Sequence, residues 1–305
     1  MKVYKFGGTS VGSPENMRMV RQIITDGEPK LVVLSAMSGT TNSLVEISSH
    51  LYQQHPHKAS EVMARLEEKY ARVVEALYAT PEYREKGQVV TEGIFRMMRL
   101  FLHKSFTLKE EKILVAQGEL LSTQLFTLLM QESGHSTFLL PALDFMRVDE
   151  ERAADLPAIR TLLLELIDNS PRVDYYITQG FICRNPAGEI DNLERGGSDY
   201  TASLVGAAID AEEVQIWTDI DGFHNNDPRF VSNTRKIDQL SFNEAAELAY
   251  FGAKILHPQT IFPARIQNIP VRLKNTMNPS DSGTLITTRS DGSGIKAVAA
   301  KDGIT

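Results

Sequence analysis

Short apolar runs alternate along this chain with stretches of helical period, and most runs are closed by glycine, proline or small polar residues. Val3 to Phe6 is the first strand-like run, and Lys5-Phe6-Gly7-Gly8-Thr9-Ser10-Val11-Gly12 carries it into a glycine-rich turn. Residues 15 to 25 then place Met17, Val20 and Ile23 or Ile24 at helical spacing, before Gly27 and Pro29. Leu31 to Leu34 is apolar throughout, the pattern of a strand covered on both faces. It ends in Ser35-Ala36-Met37-Ser38-Gly39-Thr40-Thr41-Asn42, dense in hydroxyls, and a helix is predicted to begin near Ser43. From about 43 to 110 the period is helical, with Val62, Leu66, Tyr70 and Leu77 on one stripe and Ile94 and Phe101 on another. This predicts a helical insertion or lid whose stripes are core.

Lys112 to Ala116 reads as a short strand broken by Gln117-Gly118-Glu119 ahead of a helix from Leu120 to Gln131. Glu119 would then stand at a helix N-terminus, where the dipole stabilises a carboxylate; the other reading has it facing the crevice and binding a cationic group such as an amine. Phe138 to Leu140 is a brief strand, 141 to 155 loop with strand fragments, and 156 to 168 helix. Tyr175 to Phe181 is a buried strand, followed by a hairpin turn at 185 to 188. Arg195-Gly196-Gly197-Ser198-Asp199 leads into a small-residue helix, Tyr200 to Ile209. Val214 to Thr218 is the next strand, a helix covers Phe242 to Tyr250, and Val271 to Lys274 and Thr284 to Ile286 supply the last strands.

Composition narrows what these elements can serve. The 305 residues suffice for one large domain or two ordinary ones, and 42% of them are hydrophobic. The net charge is −7 with lysine and arginine scattered, so the basic stripe of a nucleic-acid binder is missing from the pattern. The single cysteine, Cys183, has no intrachain partner and reads as a small packed side chain. No continuous apolar run approaches the ~18 residues of a membrane span, and the first residues lack a signal-peptide core. A cytoplasmic protein without nucleic-acid or membrane partners is expected.

The polar loops carry the candidate chemistry. Glycines after a strand let backbone amides approach a phosphate, and a following helix points its positive end at the same place. Lys5 adds a full charge, although an ordinary βα turn would use the same glycines. Ser35 to Asn42 forms a second polar loop at what reads as the same sheet edge, where open parallel sheets bind ligands. Arg195 suits bidentate capture of a carboxylate, with Gly196 and Gly197 allowing close backbone approach. In Asp219-Ile220-Asp221-Gly222-Phe223-His224, tight turns account for several of the polar groups. Lys254, in an otherwise apolar stretch beside Gly252, favours a ligand role, and His257 before Pro258 reads as a capping or packing residue.

Taken together, Lys5 to Ser10, Ser35 to Asn42, Gly118-Glu119, Arg195 to Asp199, Trp217-Thr218-Asp219 and Phe251 to Pro258 resemble, in collinear order over nearly the whole chain, the catalytic domain of aspartate kinases in the amino acid kinase superfamily. The resemblance implies a three-layer αβα sandwich around a mainly parallel sheet, and phosphoryl transfer from ATP with Mg2+ to the β-carboxylate of L-aspartate. It would put Lys5 and the Gly7 and Gly8 amides, with Thr9 and Ser10, on the transferring phosphate. Arg195 would hold the substrate α-carboxylate with Gly196 and Gly197, Glu119 its amine, and Ser35, Thr41 and Ser198 the rest. Asp199 would orient the lysine or help place Mg2+. Thr218, Asp219, His224, Arg229, Lys254 and Ile255 would form the nucleotide side.

Two departures qualify the match. His224 stands where many family members have a tyrosine near the adenine or ribose. Residues 294 to 305 resemble the first strand of a regulatory ACT region and then stop, so the expected organisation is a catalytic domain over 1–293 and the start of a truncated regulatory region over 294–305. A homodimer and fusion to a homoserine dehydrogenase are compatible with that pattern. The alternatives are a superfamily kinase acting on glutamate, acetylglutamate, carbamate or a nucleotide, or a non-catalytic sensor module. One methylene of acceptor length is worth only about 1–3 kcal/mol in a pocket.

Overall fold

Alternation within the first strand decides how the molecule is layered. In β1 (Lys2–Phe6), Val3 joins one hydrophobic core, while Tyr4 and Phe6 join the other. The computed structural model describes residues 1–193, 196–226, 231, 233–250, 256–290 and 295–298. After β1 come α1 (Pro14–Ile24), β2 (Lys30–Leu34) and a helical stretch of α2 (Thr40–Tyr52), α3 (Pro56–Leu77), α4 (Pro81–Arg99) and α5 (Leu108–Glu132). β3 (Thr137–Leu140), α6 (Ala142–Phe145), α7 (Leu156–Asp168) and β4 (Tyr175–Gln179) follow, then the hairpin of β5 (Ile182–Arg184) and β6 (Ile190–Asn192). The chain continues through α8 (Gly197–Ala208), β7 (Val214–Thr218), β8 (Gln239–Ser241), α9 (Phe242–Tyr250) and α10 (Phe262–Ile266) to β9 (Val271–Asn275) and β10 (Thr284–Thr287).

Eight of these strands form one sheet in the order β3-β4-β2-β1-β7-β9-β10-β8, parallel except where β10 runs against β9. β1 lies between β2 and β7, with Lys5 opposite Val33 and Ile216, and Phe6 opposite Leu34 and Trp217. Chain order reverses at β1, which makes the carboxyl ends of β2, β1 and β7 the natural place for a ligand crevice. On one face Val3, Leu31 and Val33 pack with Ile159 and Leu163 of α7 and Ala202 and Val205 of α8. On the other, Tyr4, Phe6 and Trp217 pack with Met17 and Val20 of α1, Leu66 of α3, and Leu121 and Leu125 of α5. The mainly parallel sheet and its two helical layers are the expected αβα sandwich.

Local chemistry starts and stops these elements. Ser13 caps α1 by accepting from the Asn16 amide at 3.2 Å, and Pro14 occupies the first turn, where its missing N–H costs nothing. The hairpin is fixed to the body through Asp191, nearly buried, which accepts from Lys112 of α5 at 2.5 Å and from Arg152 at 3.0 Å. Cys183 is buried beside that cluster, and desolvation pushes its thiol up to about 12, the behaviour of a packed side chain rather than a nucleophile.

The sequence misleads most clearly at α5. The strand expected at 112 to 116 and the helix expected from 120 are one continuous helix. Thr107 and Glu110 form a reciprocal capping box at its start, and the helix is buried on nearly all sides, so no 3.6-residue stripe announces it. Gly118 does not break it; a Cβ there would lie 2.8 Å from the Ala36 Cβ, so the glycine is what lets α5 approach the second loop. Glu119 is therefore in a helix interior, and the N-terminal dipole explanation of its position falls. By length and composition α5 could cross a membrane, but 78% of its most apolar stretch is buried inside this fold. α2 also begins at Thr40 and α8 at Gly197, each three residues before the predicted start, and the three-residue β8 has no signal long enough to read.

Candidate active site

Lys5 is the penultimate residue of β1 and faces the same side as Val3, toward α8. Its ammonium meets Asp199, in the first turn of α8, at 2.7 Å, as an ion pair out of hydrogen-bond alignment. The two side chains are only 11% and 22% exposed, so the pair is largely withdrawn from water yet open at one end. A lone buried ammonium would be costly, and the carboxylate balances it.

The glycine-rich turn folds back on its own strand. The Gly7 amide donates to the Trp217 carbonyl at 3.2 Å, and the Gly8 carbonyl accepts from the Ser38 amide at 3.0 Å. Among the described residues, the amides of Gly8, Thr9 and Ser10 have no acceptor, and these are the ones free for an anion. The expectation for the Gly7 amide is corrected accordingly; a Cβ at Gly7 would make only ordinary contact, 3.5 Å from the Lys5 ammonium. A side chain at Gly8 would lie 2.9 Å from the Ala36 carbonyl, so the two polar loops touch because neither carries bulk there. Ser10 is corrected as well: its hydroxyl is fully buried and pairs with Thr276 at 2.7 Å, so its side chain is structural.

The second loop and α8 close the crevice from the other side. Ser35 donates to the Ser198 hydroxyl at 2.9 Å, and the Gly180 amide just past β4 donates to the Leu34 carbonyl at 2.9 Å. A Cβ at Gly180 would come within 2.3 Å of the Ser198 oxygen, so the ends of β2 and β4 and the start of α8 converge on one point. Gly196 and Gly197 both adopt positive φ, 74° and 47°, as expected for a backbone that must turn sharply into a helix. Phe181, beside them, also has a positive φ of 70°, an unfavourable conformation for a bulky residue and one the sequence gives no sign of.

Glu119 reaches this point from the middle of α5. Its Oε1 accepts from the Ala36 amide at 3.2 Å, and burial raises its pKa from the ordinary 4.5 to about 7, against the pull of that hydrogen bond. Ser122, one turn further on, donates to the Ser35 carbonyl at 2.7 Å, so α5 holds the second loop at two places. Thr41 is exposed in the first turn of α2, beside the same loop. Lys69 and Tyr70 of α3, which the sequence presents as an ordinary amphipathic helix, also reach the loop. Lys69 donates to the Ser38 carbonyl at 2.7 Å, and the Tyr70 hydroxyl pairs with that of Thr40 at 2.9 Å.

Beyond β7, Thr218 donates to Asp219 at 3.1 Å, and its carbonyl accepts from the Thr276 amide. Asp219 is exposed at the mouth of this end. The His224 ring is held between Asp221, at 2.8 Å, and Thr234, at 3.0 Å. His257 caps the turn after it by accepting from the Gln259 amide at 3.3 Å, as the sequence indicates. Arg195, Arg229, Lys254 and Ile255, and most of 294–305, lie outside the described residues.

A buried lysine, free strand-end amides, paired serines and a buried carboxylate at the carboxyl edge of a parallel sheet make a site suited to an anionic group meeting an amine-bearing one. The model of the amino acid kinase family matches residues 1–275, and the chain belongs to that family. Within it, the chain is 37% identical to lysine-sensitive aspartokinase 3 of Escherichia coli, over 95% of this chain and 64% of that one. It is 36% identical to the chloroplastic aspartokinase 1 of Arabidopsis thaliana, over 95% of this chain and 52% of that one. The crystal structure of E. coli aspartokinase III in complex with aspartate and ADP matches with a TM-score of 0.83 at 34% identity, covering 95% of this chain and 65% of the other. The chain thus spans between about half and two thirds of the length of these relatives.

Proposed function

We propose that this chain is the phosphotransferase unit of an aspartate kinase, transferring the γ-phosphoryl group of MgATP to the β-carboxylate of L-aspartate. The observation that carries the reading is the Lys5–Asp199 pair at the carboxyl edge of the sheet, next to the Ser35–Ser198 contact and the buried Glu119 that holds the same loop. The likeness to aspartokinases supports the choice of acceptor.

The chemistry asks little of the protein beyond position and charge. An ionised carboxylate is already a nucleophile, so no general base is needed. Its oxygen forms a bond to the γ-phosphorus while the bond to the bridging β–γ oxygen breaks, and ADP leaves with that electron pair. Lys5 and the free amides of Gly8, Thr9 and Ser10 would stabilise charge on the transferring group. Glu119 would accept the substrate ammonium, Arg195 with Gly196 and Gly197 its α-carboxylate, and Ser35, Thr41 and Ser198 would hold it in line. Thr218, Asp219, His224, Arg229, Lys254 and Ile255 would face the nucleotide. Magnesium enters as part of the MgATP substrate: among the described residues no three acidic, histidine or cysteine side chains gather as a resident site would require. Magnesium held with substrate phosphates needs only one or two carboxylates from the protein, and Asp199 would be the residue to help place it.

In this reading residues 1–293 are the catalytic domain, acting in the cytoplasm, and 294–305 begin a regulatory region; a homodimer is compatible with it. The test is ADP release from MgATP by the purified chain with L-aspartate, L-glutamate or no acceptor, with hydroxylamine present to trap acyl phosphate. Aspartate-dependent ADP with matching hydroxamate is expected. Nucleotide binding without turnover of any acceptor would refute the assignment in favour of a sensor.

A further inference from the structure

We infer that Lys69, on α3 of the helical stretch, is a positioning residue that sets the affinity for the amino-acid acceptor; the inference rests on the aspartate kinase reading. Its ammonium donates to the Ser38 carbonyl at 2.7 Å and lies 3.5 Å from the Thr40 hydroxyl. A Cβ on Gly39 would come 3.9 Å from it, so the ammonium sits over the exposed corner of the second loop. The neighbouring Tyr70, fully buried, fixes Thr40 from beneath. The corner held in this way is continuous with every acceptor-side group of the loop: Ser35 on Ser198, the Ala36 amide on Glu119, and Thr41 at the start of α2.

Two features separate Lys69 from a surface lysine. It is partly buried, and among the described residues no carboxylate pairs with it, so burial lowers its pKa below the ordinary lysine value. It also spends its strongest hydrogen bond on a backbone carbonyl 31 residues earlier in the chain, in a loop whose Gly39 has a left-handed φ of 78°. The Ser38 amide and the Gly39 carbonyl of this corner are already bonded, to the Gly8 carbonyl and the Ser43 amide, and the lysine fixes the remaining outward carbonyl of Ser38. The loop groups that would meet the acceptor are then presented in one arrangement before it binds. Ordering them beforehand improves binding without any contact between Lys69 and the ligand.

The experiment compares wild type, Lys69→Met and Lys69→Arg in the whole chain, measuring KM for aspartate, KM for ATP and the melting temperature. Hydrogen bonds to charged groups are worth enough that Lys69→Met should raise the aspartate KM about tenfold, while the ATP KM stays within about twofold. Lys69→Arg, which keeps a cation able to reach the carbonyl, should restore most of the loss. An unchanged aspartate KM in Lys69→Met overturns the inference. So does a parallel rise in both KM values with a lowered melting temperature or failure to fold, because that is the signature of a merely structural residue. Absence of aspartate-dependent turnover in the wild type is a different result and removes the kinase reading itself.

Discussion

Glu119 should give the acceptor affinity a pH dependence that the substrate alone does not have. Burial holds this carboxyl near 7, so below that pH it is protonated and, in the proposed role, could not pair with a substrate ammonium. If Glu119 meets the acceptor amine as proposed, binding would have to expel the proton. The apparent KM should scale as one plus the ratio of protonated to ionised Glu119: about twofold above its limit at pH 7, about tenfold at pH 6, and flat above pH 8. The side-chain carboxyl of aspartate titrates near 4 and does not change in this window. Stability moves the opposite way. The folded pKa lies above the unfolded one, so the contribution is complete below 4.5 and is lost as pH rises through about 7. An offset of that size corresponds to about 3 kcal/mol. Glu119→Gln, which keeps the acceptor for the Ala36 amide but cannot ionise, should melt higher than wild type at pH 8 and similarly at pH 5. Its aspartate KM should be high and independent of pH. The assay is ADP release at saturating MgATP between pH 6 and 8.5, with thermal melts of both proteins. A flat wild-type KM over that range, or the same slope in Glu119→Gln, would refute the reasoning.

Two further outcomes follow from the same geometry. Lys5→Met should reduce turnover by about 100-fold or more, the scale of losing one charge-stabilising donor, without loss of fold by circular dichroism; near-wild-type turnover would remove Lys5 from the chemistry. Gly180→Ala should lower both melting temperature and turnover, because its Cβ would sit 2.3 Å from the Ser198 oxygen and 2.8 Å from the Ser198 Cα; a fully active and stable variant would mean that α8 can shift freely.

What could be read in the sequence divides along a physical line. Strand-to-loop transitions at Phe6, Leu34 and Thr218 are legible because an apolar run ending in glycine or hydroxyl residues leaves little choice of structure. The pairing of Lys5 with Asp199 is suggested only by resemblance, since nothing local joins residues 194 positions apart. α5 was unreadable for the opposite reason: a helix buried all round loses the period by which helices are known, and an interior glycine then imitates a break. Ser10 and Thr9 look equivalent in the chain, yet one hydroxyl is buried against Thr276 and the other residue is exposed, a difference made by a partner 266 residues away. Lys69 gives no signal at all, because one cation on an amphipathic helix reads as solvated surface.

The Lys5–Asp199 pair also explains how an acidic chain can keep an anion site ready. A cation on a central strand, flanked by Val33 and Ile216, would destabilise the empty protein if it stood alone. Asp199 offsets it, but from the first turn of α8, beside a glycine pair and a partly open crevice rather than from within the sheet. In the proposed reading a phosphoryl group arriving at the Gly8 to Ser10 amides would share the ammonium without displacing a buried residue, its charge met by Lys5 on one side and backbone dipoles on the other. Asp199 would then serve two states with one position: it balances Lys5 as the structure stands and would orient it once a phosphoryl group is bound. On that reading, exchanging either residue for a neutral one should cost stability, turnover or both.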